Sequence, residues 1–357
     1  METLRYVVEM DKIAHNIQLL RRRAGNRVVY AVLKANGYGL DCGRMAAVCS
    51  ANGLGHFAVT SLADAKTVRD SGVDLQELLL LTSASPEQIP QLVELGVTFT
   101  VACLEDAVNL ADYSVSAHIK VDTGFGRRGF HYRDDALPAL YRQYNNIRFT
   151  GIYTHFAEGT DSKLTDVQFE RFQALCQQLQ QQGIDPGIRH CCSSGSAFGR
   201  DEWLLDGMRI GSGLLGRVAG ADGLGLRRTG ICQVRVEAVK SIPKGATVGY
   251  GNRFRAPGQM QVAICPIGTH HGFCVATCCG QQTAREGLLE QLRRFRAYLT
   301  GSNMPCVQIH GKRCPVLGCA GSEAVVVDVS AVDCQVGDLA LVDINPMLLH
   351  GMPISFE

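Results

Sequence analysis

The residue with the clearest chemical potential is Lys34, which ends the apolar run at residues 28–33 and is followed at once by small and glycine residues. A buried strand that ends in this way delivers one amine to the rim of a site. A lysine at the carboxyl end of a parallel strand can form a Schiff base if its surroundings lower its pKa. Taken alone, the run is equally consistent with a lysine that only caps the polar end of a strand.

Further polar residues stand where other predicted strands end. In chain order they are Lys120, Asp122, Arg127, His155 and Ser194. Arg209 is followed closely by Gly211-Ser212-Gly213, a small-residue turn whose backbone N–H groups are suited to holding a phosphate. A single match of this kind carries little weight, whereas recurrence at successive strand ends predicts a shared site.

The elements that must position these residues alternate between strands and helices. Strands are predicted at 28–33, 56–59, 78–81, 98–102, 118–121, 149–153 and 187–192, and helices at 12–23, 62–71, 86–95, 104–112 and 165–182. This alternation indicates βαβ units and a parallel sheet. Seven or eight such units closing on themselves predict an α/β fold with a (β/α)8 TIM-like barrel over residues 1–225, whose site lies at the carboxyl ends of its strands.

After about residue 226 the pattern changes to strands separated by glycine turns. Strands are predicted at 234–242, 247–250, 261–266, 307–310, 324–329 and 339–342. With few helices between them, residues 226–357 are predicted to form a separate, mostly antiparallel β-domain. The exception is a basic amphipathic helix at 285–300, which is predicted to pack its apolar side against a sheet. That side carries Leu288, Leu289, Leu292, Phe295 and Leu299.

Composition excludes several classes of protein. The 357 residues suffice for two domains, and 35 basic against 34 acidic residues give no electrostatic case for nucleic acid or an anionic membrane. The chain has no apolar run of the roughly 18 residues that a membrane span needs. Its first residues lack the regions of a signal peptide, so we expect a cytoplasmic protein. The 15 cysteines contain no Cys-x-x-Cys spacing, so we expect buried small residues and no metal site.

Several motifs occur together and in order. They are Ala31-Val32-Leu33-Lys34-Ala35-Asn36-Gly37-Tyr38-Gly39, Lys120-Val121-Asp122-Thr123-Gly124-Phe125-Gly126-Arg127-Arg128-Gly129, Thr154-His155-Phe156-Ala157, Met208-Arg209-Ile210-Gly211 and Val248-Gly249-Tyr250-Gly251. Over residues 5 to about 340 the chain resembles the fold-type III pyridoxal-phosphate enzymes, and specifically the alanine racemase family. The resemblance implies a barrel, a C-terminal β-domain and a head-to-tail homodimer.

The resemblance also implies roles for individual residues. Lys34 would be the Schiff-base lysine and the base on one face of the substrate Cα, and Tyr250 the base on the other face, reaching across from the partner subunit. Arg209 would hydrogen-bond the pyridine nitrogen of pyridoxal 5'-phosphate. The remaining implied contacts are His155 beside the cofactor ring, Tyr38, Ser194, Gly211 and Ser212 at the phosphate, Arg127 near the substrate carboxylate with Lys120 steadying it, and Ser322 in the segment whose backbone binds that carboxylate.

The chemistry makes independent sense of this set. Removing the α-proton of an amino acid is feasible when the cofactor delocalises the resulting charge. Inversion then needs an acid/base group on each face of Cα, which a lysine and a tyrosine can supply. An arginine at the pyridine nitrogen keeps its own proton, leaves that nitrogen largely unprotonated and favours racemisation.

The second domain departs from the family pattern. Two family motifs are replaced here, one by Gly268-Thr269-His270-His271-Gly272 and one by Gly321-Ser322-Glu323. Residues 274–303 resemble an insertion, and the C-terminus at Phe356-Glu357 looks shortened. We therefore predict an amino-acid racemase with alanine as the first candidate substrate and serine as the next. The alternatives are a non-catalytic pyridoxal-phosphate-binding or regulatory homologue, and a fold-type III amino-acid decarboxylase.

Overall fold

The computed structural model describes residues 4–159, 162–275, 283–300 and 304–357. The chain divides into two compact units, Met10–Thr229 and a second unit in which residues up to Glu9 join Gly230–Glu357. The sequence had placed this boundary at 225 and residues 1–9 with the barrel. The strand β1 (Leu4–Val8) belongs instead to the second unit, because it pairs with strands at Ile231–Arg235 and Ile354–Phe356.

The first unit is a barrel of parallel strands. They are β2 (Val28–Val32), β3 (His56–Val59), β4 (Glu77–Leu80), β5 (Phe99–Val101), β6 (Val115–Asp122), β8 (Ile147–Tyr153), β9 (Ile188–Cys192) and β10 (Gly207–Ile210), with β7 (Phe130–His131) paired to β6 outside the ring. β10 pairs with β2, and a bridge between Leu79 and Thr98 joins β4 to β5, which completes the ring. The predicted TIM-like barrel is confirmed.

Helices return the chain between these strands. They are α1 (Met10–Ala24), α2 (Lys34–Tyr38), α3 (Cys42–Ala51), α4 (Leu62–Asp70), α5 (Ile89–Glu94), α6 (Leu104–Leu110), α7 (Leu137–Gln143) and α8 (Lys163–Gln181). α1 buries Ile13, Ile17 and Leu20, which recur at the spacing of one helix face. Because every crossover of this kind carries the chain back to the same end, the carboxyl ends of all the barrel strands share one rim.

The second unit is mostly antiparallel, as predicted. Its other strands are β11 (Ile231–Arg235), β12 (Ala238–Ile242), β13 (Thr247–Val248), β14 (Phe254–Arg255), β15 (Met260–Cys265), β16 (Cys306–Ile309), β17 (Lys312–Pro315), β18 (Val325–Asp328), β19 (Leu339–Val342) and β20 (Ile354–Phe356). One sheet has the order β17-β16-β19-β11-β1-β20 and another the order β12-β15-β18. The single strand predicted at 234–242 is therefore two strands in different sheets.

The helix predicted at 285–300 is present as α9 (Ala284–Thr300). Leu288, Leu292 and Phe295 are 64%, 55% and 61% exposed. The prediction that its apolar side packs against a sheet is wrong for these three side chains. Leu289 is partly buried, and the side chain of Leu299 lies outside the described part of the chain. Within the described ranges, no helix combines the length and the apolar character that crossing a membrane requires.

Candidate active site

A cavity of about 530 Å³ opens at the carboxyl ends of the barrel strands. The predicted site residues that line it are Lys34, Tyr38, Lys120, Arg127, His155, Ser194, Arg209, Gly211 and Ser212. They follow or end β2, β6, β8, β9 and β10, so they reach one space from separate parts of the chain. The barrel brings these residues together, whereas Tyr250 and Ser322 lie in the second unit.

Lys34 is aimed into this cavity by an unusual left-handed turn. The sheet bonding of β2 ends where Leu33 N donates to Ala58 O, and Lys34 begins α2. Ala35, Asn36 and Gly37 have φ values of 53°, 54° and 66°. A left-handed backbone costs about 1–2 kcal/mol for each residue other than glycine. Asn36 offsets part of that cost, because its amide donates to Asp64 at 3.0 Å and its side chain accepts from the amide of residue 42 at 2.9 Å.

Four residues form a compact cradle beside this turn. Ser194 Oγ accepts from the backbone amides of Gly211 at 3.1 Å and Gly213 at 3.0 Å. A Cβ at Gly211 would overlap the Tyr38 hydroxyl, so this approach requires glycine. Burial raises the pKa of Tyr38 to about 12, so its hydroxyl keeps its proton and can donate to an anion. The two amides hold Ser194 Oγ in place, so the hydroxyls of Ser194 and Tyr38 are suited to donating to a phosphate.

Arg209 lies against the barrel wall and is only 5% exposed. Its Nη2 donates to Thr154 O at 2.7 Å and lies 3.3 Å from His155 Nδ1. Burial, reinforced by the charges of Arg209 and Arg127, lowers the pKa of His155 to about 3, so this imidazole is neutral. Since arginine donates only, His155 accepts at Nδ1 and carries its proton on Nε2.

Arg127 is placed by a turn around Asp122. The Asp122 carboxylate accepts from the amides of residues 124, 125 and 126 and, at 3.1 Å, from Arg127 N. The Arg127 guanidinium lies 4.2 Å from the centroid of the Phe125 ring. Burial, together with the charges of Arg127 and Arg209, lowers the pKa of Lys120 to about 8. The cavity therefore carries concentrated positive charge and suits an anionic ligand.

Below this rim, the barrel interior holds polar residues for which the sequence motifs predict no part in this site. Tyr30, His118 and His190 are fully buried, and Glu77 lies beside them. Their signal was available, because His118 stands two residues before Lys120 on β6. Side chains two positions apart in a strand face the same side.

In the second unit, Tyr250 and Ser322 line a cavity of about 500 Å³ together with Gly249, Cys319 and Glu323. Tyr250 is 75% exposed and follows Gly249, whose φ is 75°. The side chain of Ser322 is also exposed. The structure thus brings these two predicted residues together on one surface.

Comparison with known proteins gives a consistent result. A family model described as "Alanine racemase, N-terminal domain" matches residues 8–218, and one described as "Alanine racemase, C-terminal domain" matches residues 231–345. The chain is 33% identical over 281 residues to an alanine racemase of Desulforamulus reducens, covering 74% of this chain and 76% of that protein. An alanine racemase of Methanococcus maripaludis is 29% identical over 351 residues, covering 94% and 87%.

The fold agrees with these matches. The biosynthetic alanine racemase of Pseudomonas aeruginosa superposes with a TM-score of 0.84 at 21% identity, over 100% of each chain. The alanine racemase of Acinetobacter baumannii gives 0.84 at 20% identity, again over 100% of each chain. The chain belongs to the alanine racemase family.

Proposed function

We propose that the protein is a pyridoxal 5'-phosphate-dependent amino-acid racemase that interconverts L- and D-alanine, with serine as the second candidate substrate. The observation that carries the proposal is the shared cavity. It places the amine of Lys34, the buried guanidinium of Arg209 and a phosphate cradle within one space of about 530 Å³. Members of this family use the same cofactor.

The residues present fit that cofactor. Ser194, Gly211, Ser212 and Tyr38 would hold the phosphate, because the amides that donate to Ser194 Oγ fix this oxygen and leave its own O–H to donate, and the tyrosine offers a second protonated hydroxyl. Gly211 has no Cβ where the Tyr38 hydroxyl lies, which lets that hydroxyl approach the turn closely. When bound, the cofactor supplies an electron sink that makes the α-proton of an amino acid acidic.

The protein's own residues then move that proton. Lys34 Nζ removes or returns it on one face of the substrate Cα, and the hydroxyl of Tyr250 does so on the other. We infer that Tyr250 is contributed by a second copy of the chain in a homodimer, because the family is typically dimeric. Arg127 holds the substrate carboxylate with support from Lys120, and Ser322 contributes to the same contact.

Arg209 directs the outcome towards racemisation. A carboxylate at its position would share a proton with the ring nitrogen and strengthen the electron sink, which favours other reactions such as decarboxylation. Arginine keeps its proton, so the ring nitrogen stays unprotonated. His155, neutral at physiological pH, lies beside Arg209 without adding charge to the ring. We also place the protein in the cytoplasm, as is general for the family.

The experiment is a set of assays on the purified protein loaded with cofactor. We expect a visible absorbance band that Lys34→Ala abolishes, and α-proton exchange with solvent deuterium for L-alanine, then L-serine, in a panel of amino acids. Tyr250→Phe should remove racemisation and leave cofactor binding intact. Release of CO2 without racemisation would show a decarboxylase. Cofactor binding without exchange for any amino acid would show a non-catalytic homologue, and either result would overturn the proposal.

A further inference from the structure

A chain of polar side chains crosses the barrel interior from Arg209 to Glu77. Arg209 Nη1 lies 2.8 Å from His190 Nδ1, and His190 Nε2 lies 2.9 Å from His118 Nδ1. His118 Nε2 lies 3.4 Å from Glu77 Oε1, and Tyr30 Oη donates to Glu77 Oε2 at 2.7 Å. The five residues come from five strands, and both histidines are fully buried.

The direction of every bond in this chain follows from Arg209. A guanidinium donates only, so His190 must accept at Nδ1 and carry its proton on Nε2. That proton is donated to His118 Nδ1, which leaves the His118 proton on Nε2. This buried Nε2 has no hydrogen-bond partner of good geometry among the residues that the structure describes, and the Glu77 carboxylate lies 3.4 Å from it. Each donor in the chain therefore faces towards the carboxylate.

The charges agree with this arrangement. Burial, reinforced by Arg209 and His118, holds the pKa of His190 well below its usual value, so this ring is neutral. Partial burial would raise the pKa of Glu77, but its close contact with His118 and the hydrogen bond from Tyr30 outweigh burial and lower that pKa to about 2. A protonated His118 would donate to His190 Nε2, force the His190 proton onto Nδ1 and set it against an Arg209 N–H. A neutral His190 beside Arg209 and a charged Glu77 carboxylate fit this arrangement.

The remaining contacts of Arg209 show which of its N–H groups is left available to a ligand. Nη1 also donates to His190 O at 3.0 Å, and Nη2 contacts Thr154 O and His155 Nδ1 at 2.7 and 3.3 Å. Among the described residues no protein acceptor faces Nε, so this N–H is the donor available to a ligand. Its direction depends on both terminal nitrogens keeping their acceptors.

We propose that Glu77 is a positioning residue for Arg209, because it ends the chain, holds both imidazoles in the Nε2–H tautomer and so keeps the free Arg209 donor aimed into the cavity. The proposal rests on the proposed function, in which that donor meets the ring nitrogen of the cofactor. Glu77 itself touches neither cofactor nor substrate in this assignment.

Two replacements of Glu77 distinguish the role of its acceptor oxygen from the role of its side-chain volume. In Glu77→Leu, the buried His118 Nε2–H loses its acceptor, so the proton of His118 moves to Nδ1 and the chain reverses. His190 then presents Nδ1–H to Arg209, and two donors face each other. In Glu77→Gln, the amide oxygen still accepts from His118 and the amide nitrogen donates to Tyr30, so the direction is kept.

The first measurement uses cofactor-free protein labelled with 15N-histidine, with the rings assigned by their loss in His118→Gln and His190→Gln. Nitrogen NMR should show the proton on Nε2 of both rings in the wild type and in Glu77→Gln. In Glu77→Leu it should show a proton on Nδ1 of His118 or His190. A proton on Nδ1 of either ring in the wild type would overturn the proposal.

The second measurement is a titration with pyridoxal 5'-phosphate. We expect Glu77→Leu to weaken binding by roughly 10- to 100-fold, the effect of one unpaired buried donor, and Glu77→Gln to restore it to within about threefold of the wild type. Equal binding by all three proteins would overturn the proposal. If Glu77→Leu does not fold, His118→Phe interrupts the chain one link higher and should have the same effects on His190 and on binding.

These results are distinguishable from failure of the proposed function. A wild type that shows the expected tautomers and cofactor binding but no exchange with any amino acid contradicts the racemase, while the role of Glu77 stands. If the protein is a racemase but Glu77→Leu changes neither the histidine tautomers nor the cofactor affinity, only the role of Glu77 is contradicted.

Discussion

Replacing Ser194 with alanine removes the acceptor that holds the turn at Gly211 and Gly213. Ser194 Oγ accepts from these two amides at 3.1 and 3.0 Å, and the serine is 4% exposed. An unsatisfied buried donor costs about 1–3 kcal/mol. Both amides lose their partner, but the cavity admits water on the side of Gly211, which relieves part of the cost. We expect the free energy of unfolding to fall by about 2–4 kcal/mol.

The assay is urea unfolding of the cofactor-free protein, followed by the fluorescence of Trp203. This is the chain's single tryptophan, and it is fully buried in the same unit as Ser194. Its signal therefore reports on that unit even if the two units unfold separately. The matched control is Ser212→Ala in the same turn, whose hydroxyl makes no hydrogen bond in the described part of the chain. It should change the unfolding free energy by less than about 0.5 kcal/mol.

Unfolding in the presence of inorganic phosphate is a second measurement on the same variants. A phosphate oxygen can accept from the two amides that alanine leaves unpaired, and ligand that binds only the folded state stabilises it. Phosphate should therefore stabilise Ser194→Ala at concentrations that occupy the cradle. Unfolding of Ser194→Ala within about 0.5 kcal/mol of the wild type, or an equal loss in Ser212→Ala, would refute the reasoning.

Three further predictions concern the same cavity. Gly211→Ala places a methyl group where the Tyr38 hydroxyl lies, so a titration should show cofactor affinity reduced by at least about tenfold, and unchanged affinity would contradict this packing. Arg127→Met removes a positive charge near Lys120, so the pKa of Lys120 should rise from about 8. The pH dependence of chemical labelling of Lys120 measures this pKa, and an unchanged value would assign the shift to burial and the other nearby arginines. The pKa of His155 is about 3 in the folded protein and about 6.5 when unfolded, so between these values the unfolded chain binds the extra proton and stability falls as pH falls. His155→Gln should flatten this slope in unfolding measured at neutral and acidic pH, and an equal slope would contradict the buried, neutral assignment.

Periodicity and strand ends sufficed to predict the barrel and most of its rim. Short apolar runs alternating with amphipathic helices permit few architectures, because parallel strands need crossover connections. The ends of such runs predict Lys34 and His155, and the motif and glycine turn around Arg209 predict that residue. The barrel places all three at one cavity. Their catalytic and binding roles stay predictions.

The second unit shows where local pattern is insufficient. β11 pairs with β1 and β19, whereas β12 pairs with β15 in another sheet. The chain changes sheets between Arg235 and Ala238, and an extended run of residues gives no sign of that change. β10 was not predicted because its glycine and arginine interrupt the apolar run that marks the other short strands. Its neighbours β2 and β9 complete its bonding.

By itself, the sequence determined which side chains stand at the carboxyl ends of the strands, because an abrupt change from apolar to polar residues is a local property. Only the tertiary structure decided which of them meet beneath the rim. Four different strands carry Arg209, His190, His118 and Glu77. The way these strands are aligned in the closed barrel brings the donors and acceptors of the four side chains close together. That alignment depends on closure of the whole barrel, because the sequence of one strand does not specify how far its neighbour is shifted along the barrel axis.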